Sequence, residues 1–109
     1  MTTIIINKTK NGTYKKVICR NHAGFANAGN DIVCSAISIL VINTINSIEE
    51  LTDTKLEVVS DEKQAIIECS FPEQVDNGGR LLLDAMVLGL QNVVNEYGKK
   101  YLELKFEEV

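Results

Sequence analysis

The hardest constraint on the fold is residues 32–42, Ile-Val-Cys-Ser-Ala-Ile-Ser-Ile-Leu-Val-Ile, with Ile45 and Ile48 continuing the pattern. The run follows a loop of small and polar residues that closes on Asn30-Asp31, a helix-start signal. It predicts a helix from about Ile32 to Ile48, capped by Asn30 or Asp31 accepting from free first-turn N–H groups. Such a helix has almost no polar stripe, so it must be buried on several sides. One sheet face cannot cover it. A second helix or a second subunit must complete the cover.

The rest of the chain supplies that frame. Thr3 to Thr9 reads as a strand, Asn11-Gly12 as a hairpin turn, and Thr13 to Arg20 as the return strand. In the return strand, simple alternation puts Tyr14, Lys16, Ile18 and Arg20 on one face and Lys15, Val17 and Cys19 on the other. Leu56 to Val59 and Ala65 to Phe71 form a second hairpin, ended by Pro72. Asp76-Asn77-Gly78-Gly79 marks a loop leading into a second helix from Gly79 or Arg80 to Tyr97, with Gly98 as its stop. Tyr101 to Phe106 alternates as a last strand with Leu102, Leu104 and Phe106 inward. The order is ββαββαβ: one α+β domain over residues 1–109, a single sheet with two helices packed on it. The surplus apolar helix surface predicts a homodimer.

Charge narrows the function. Eleven basic against fifteen acidic residues give a net charge of −4, which argues against direct nucleic-acid binding. The start, Met1-Thr2-Thr3-Ile4, does not read as a signal peptide. The apolar runs contain polar breaks and read as too short to span a bilayer. The expectation is a cytoplasmic protein whose three cysteines are reduced.

The chemistry-bearing residues fall in one stretch. His22, the only histidine, stands just past a predicted strand end, twelve residues before Cys34. If the helix begins at Ile32, Cys34 sits in its first turn, where the helix dipole favours a thiolate. His22 is then a candidate base for the thiol proton and acid for a leaving amine. Free amides of the same turn are candidate donors to an oxyanion. Gly24 and Gly29 let the intervening loop fold back. The loop from Ala23 to Asn30 is expected to act as a gate that closes on substrate. Ser38, one turn after Cys34, either bonds a carbonyl one turn back or touches the site. Asp31 is either the cap or a supporting member of the site. Cys19 and Cys69, in predicted strands, are expected to be core residues.

His22-Ala23, then Asp31-Ile32-Val33-Cys34 and Ser38, resembles the pattern of the ribosomal-processing cysteine protease family: Gly-His-Ala, a short variable loop, Asp-Ile-Val-Cys, small residues and Ser. The likeness extends over essentially the whole chain. Where the pattern has glycine before the histidine, this chain has Asn21, the next-best residue for a left-handed backbone. The resemblance implies a cysteine endopeptidase with His22 and Cys34 catalytic, Asp31 and Ser38 supporting, and no cofactor. It implies a homodimer whose partner is a ribosomal protein precursor. The cut would remove the N-terminal extension of large-subunit ribosomal protein twenty-seven after an aromatic residue.

Two other readings use the same residues. One is a non-catalytic dimeric binding module for a ribosomal protein or assembly factor. The other is a zinc site of Cys19, His22, Cys34 and Cys69, although Cys19 and His22 are the only close pair.

Overall fold

The computed structural model describes residues 1–20, 28–61 and 63–109. The elements are β1 (Thr2–Lys8), β2 (Tyr14–Arg20), α1 (Ala28–Leu51), β3 (Glu57–Asp61), β4 (Ile66–Ser70), α2 (Asn77–Tyr97) and β5 (Leu102–Glu108). The ββαββαβ order of the sequence reading therefore holds. The strands form one sheet in the order β3-β4-β2-β1-β5. All neighbouring strands are antiparallel except β1 and β5, which run parallel.

Alternation along the strands separates two faces. Ile4 and Ile6 of β1, Val17 and Cys19 of β2 and Cys69 of β4 point into one core. Val33, Ile37, Val41, Ile45 and Ile48 of α1 meet them there, with Leu83, Met86, Leu90 and Val93 of α2. Both helices thus lie on the same face of the sheet. The opposite face carries the Lys16–Glu68 ion pair at 2.6 Å, as expected of a face open to water.

One strand departs from simple alternation. A bulge shifts the register between Asn7 and Lys8, so that Asn7 pairs with Lys16 but Lys8 with Tyr14. Lys15 is the extra residue, and a bulge re-aims the side chain beyond it. Tyr14 therefore leaves the face of Lys16 and Ile18, where alternation put it, and joins the core at 2 % exposure. Its hydroxyl donates to Asp84 Oδ1 at 2.6 Å, tying the first hairpin to α2. Burial first, then Asp84, pushes this phenol well above its ordinary range.

The first helix also differs from expectation. It begins at Ala28, four residues before Ile32. Asn30 and Asp31 are inside the helix, so neither is its cap. Gly29 and Asn30 are poor helix formers, but each costs under about 1 kcal/mol, whereas nucleation is the expensive step. A helix already anchored by its core residues extends through them. The helix is also longer than read from sequence: residues 32–51 are long and apolar enough to cross a bilayer by length and composition. Here α1 serves as a core helix. One side of it, Val33 to Ile48, packs on the sheet while Ile32, Ile39 and Ile42 stay exposed, and its buried Thr44 hydroxyl is satisfied by the Leu40 carbonyl at 2.6 Å.

The second helix begins at Asn77, two residues before Gly79, with Asp76 as its cap. Asp76 Oδ1 accepts from Gly79 N–H and from the Thr54 hydroxyl, each at 2.7 Å, and Oδ2 accepts from Asp53 N–H at 3.1 Å. Gly79 is small for a reason: a Cβ there would lie 2.5 Å from Thr54 Oγ1. The helix ends as expected at Gly98, whose φ is +89° and whose N–H bonds Val94 O at 2.8 Å.

The Gly79 amide first, and the Thr54 hydroxyl second, hold the Asp76 carboxyl below its ordinary value of 3.8. A depressed folded-state pKa contributes stability above the unfolded value and loses it as pH falls through the folded one. We expect Asp76→Asn to be less stable than wild type at pH 6, with the difference shrinking as pH falls below about 4. Urea midpoints across that range measure it, and a constant difference would contradict the assignment.

Candidate active site

The three thiols occupy different environments, and none is in a disulfide. Cys19 is 1 % exposed and Cys69 is 0 % exposed. Burial pushes the Cys19 thiol up to about 12. Burial first, and the nearby Glu49 charge second, pushes Cys69 up to about 11. Neither forms a thiolate near neutral pH, as a nucleophile must. Cys34 is half-buried and within reach of solvent.

Helix geometry fixes the direction in which Cys34 points. Successive residues turn by about 100°, so Cys34 and Leu40 stand about 120° apart around α1. Leu40 faces α2: a Cβ on Gly89 would meet Leu40 Cδ2 at 3.1 Å. Cys34 therefore lies on the flank of α1 turned away from α2. Ser38 and Ile42 follow it at intervals of four, one turn apart. Ser38 is half-buried. Ile42, which the sequence counts as core, is 43 % exposed on this flank. Its spacing of eight from Cys34 is the one sequence signal that it shares that flank.

Because α1 starts at Ala28, Cys34 stands in its second turn rather than its first. The unpaired amides of a helix end belong to its first turn, and the dipole effect fades over the same distance. The helix end can therefore favour a Cys34 thiolate less than the sequence suggested. His22 lies outside the described residues, as does most of the expected gate. The gate's last three residues, 28–30, are helical. Among the described residues no three His, Cys, Asp or Glu side chains come together as metal ligands. Cys19, Cys34 and Cys69 thus do not form the proposed zinc set.

A cleft of about 460 Å³ lies between α2 and β5, lined by Val94, Leu102, Leu104 and Phe106 among others. Cys34 is not part of it. Phe106 points inward as the alternation implied, yet it is 51 % exposed: α2 covers the start of β5, where Leu102 is 0 % exposed, but not its later residues.

One thiol on a core helix is reachable from solvent and the other two are buried, so Cys34 is the candidate nucleophile, and comparison with known proteins makes the chain a cysteine protease. The model of the family Cysteine protease Prp matches residues 1–102, and the chain belongs to that family. It is 26 % identical over 99 residues to the ribosomal processing cysteine protease Prp of Staphylococcus aureus (strain Mu50), covering 91 % of this chain and 93 % of that one. With the protein of the same description from Bacillus subtilis (strain 168) it is 28 % identical over 80 residues, 70 % of this chain and 71 % of that one. A crystal structure of the S. aureus protease with a covalently linked product peptide superposes with a TM-score of 0.87 at 25 % identity, covering 98 % of this chain and all of that one. The non-catalytic alternative is set aside.

Proposed function

We propose that Cys34 and His22 form a catalytic dyad that removes the N-terminal extension of large-subunit ribosomal protein twenty-seven, in the cytoplasm and without a cofactor. The observation that carries the reading is the environment of the thiols: Cys34 is reachable from solvent on α1, while Cys19 and Cys69 are buried and held protonated. The covalently linked product peptide on the S. aureus relative supports an acyl-enzyme route.

In this reading His22 takes the Cys34 proton, and Sγ attacks the scissile carbonyl carbon. The carbonyl π electrons move to oxygen, giving a tetrahedral oxyanion. Its collapse breaks the C–N bond, and the proton held by His22 goes to the leaving amine. A thioester remains on Sγ. Water, losing a proton to His22, attacks the thioester carbon, and the acid product leaves as the thiol reforms. Asp31 and Ser38, one turn before and one turn after Cys34, are the supporting residues.

The test is incubation with the precursor protein, read by mass spectrometry. Wild type is expected to release the extension, after an aromatic residue, and His22→Ala to slow release by about 10²-fold or more. A His22→Ala variant with the wild-type rate would remove histidine from the mechanism.

The same reading makes the protein a homodimer. Ile32 and Ile39 of α1 are 72 % and 66 % exposed, and Leu81 and Leu88 of α2 are 70 % and 60 % exposed. Each pair is seven residues apart, two turns along the side facing away from the sheet. Such a patch marks an interface. Sedimentation at micromolar concentration is expected to give the dimer mass; a monomer mass would reject it.

A further inference from the structure

One row of residues crosses the sheet on its helix-covered face. Register aligns Val58 of β3 with Cys69, Cys69 with Val17, Val17 with Ile6 and Ile6 with Phe106 of β5. Directly opposed residues share a face. Cys69, Val17 and Ile6 are at most 2 % exposed, yet Val58 is 46 % and Phe106 is 51 % exposed. In this row the two helices cover three strands of five, leaving an apolar shelf at each edge.

The two shelves are not equivalent. The one at Phe106 is the cleft under α2. The one at Val58 lies on the other side of α1, the flank away from α2 that carries Cys34, Ser38 and Ile42. The floor there is the helix-side face of β3 and β4, with Ser60 opposite Ile67 in the next row towards Asp61. Adjacent strands are about 4.8 Å apart, so the open width suits one extended chain.

We propose that this shelf seats the substrate: an extended peptide runs from Cys34 along the flank of α1, and Val58 and Ile42 grip one of its apolar side chains. The inference rests on Cys34 as nucleophile. Cys34 to Ile42 is eight residues of helix, about 12 Å at 1.5 Å per residue. An extended peptide covers that distance in about four residues at 3.3 Å each. The side chain gripped by Val58 and Ile42 is therefore about four positions from the scissile bond. The site selects for an apolar residue there, apart from whatever it requires at the bond itself.

Adjacent strand positions provide the control. Val59 is 66 % exposed on the same strand but opposes Glu68, on the bare face of the sheet. The probe is a quenched fluorogenic peptide copying the extension and the first residues of the mature protein. Val58→Lys is expected to raise KM about 10-fold with kcat within twofold, a loss typical of one apolar contact. Ile42→Asn should do the same, and Val59→Lys should leave both constants unchanged. Thermal midpoints of all three report folding. Val58→Lys and Ile42→Asn with wild-type KM, or Val59→Lys with an equal rise, overturns the shelf. So does a rise in KM from Phe106→Ser with none from Val58→Lys. Cys34→Ala is run beside them: if it still cuts, the nucleophile assignment fails, whereas an inactive Cys34→Ala with wild-type behaviour at Val58 isolates the failure to the shelf.

Discussion

Replacing Cys34 with alanine should reduce cleavage to background, a loss of at least about 10³-fold, while the protein stays folded. In the proposed mechanism the Cys34 thiol is the attacking atom, and neither of the other two cysteines is placed to substitute. Cys19 and Cys69 are in the core, and burial holds both protonated. The stability change should be small, about 1 kcal/mol or less, because Cys34 is only half-buried and alanine favours helix. Cleavage assays and thermal melts on the same preparation separate the two effects. A variant that cuts at the wild-type rate would end the nucleophile assignment. One that fails to fold would move Cys34 into the structural role of the other two.

Ile37→Ala should have the largest effect on stability. Ile37 is three residues after Cys34, 0 % exposed, and turned into the core between α1 and the sheet. Its truncation loses the transfer free energy of the removed carbons and leaves a cavity, together about 2–5 kcal/mol. For a domain of this size each kcal/mol moves the midpoint by about 4–8 °C, so a drop of about 10 °C or more is expected. Equilibrium urea unfolding gives the energy directly. A loss below about 1 kcal/mol would mean that α1 does not anchor the core as described. Ile39→Ala, on the outward face at 66 % exposure, is the matched comparison: at protein concentrations low enough to keep the chain monomeric it should leave stability nearly unchanged.

That contrast between Ile37 and Ile39 also shows where sequence reading stops. The order of seven elements was legible because hydrophobic period, Asn11-Gly12, Pro72 and Gly98 all act locally. The apolar run of α1 gave no such guidance around the helix: with almost every position apolar, nothing in the pattern distinguishes the sheet side from the outward side. Position relative to Leu40 and Gly89 decides that, and it is a tertiary fact. Tyr14 was misplaced because a bulge at Lys15 leaves no signature in a strand of alternating polar and apolar residues. The starts of both helices were read late for a common reason. Gly29 and Gly78 look like loop residues, yet both are helical, and Gly79 is a glycine because Thr54 leaves no room for a Cβ rather than because the helix starts there.

At the site, the position of the thiol on the core helix was legible, and its two buried rivals were correctly placed in strands. The turn it occupies was not. Placing Cys34 one turn deeper than expected lowers the contribution of the helix end.

The central claim is that Cys34 is the one reactive thiol and the one that cuts. Iodoacetamide titration of the folded protein at neutral pH, with peptide mapping by mass spectrometry and a parallel cleavage assay, tests it most directly. The account predicts one adduct per chain, on Cys34, with activity falling in proportion to its formation and Cys19 and Cys69 modified only after unfolding. Full modification of Cys34 with cleavage intact, or activity lost in step with Cys19 or Cys69, would contradict it.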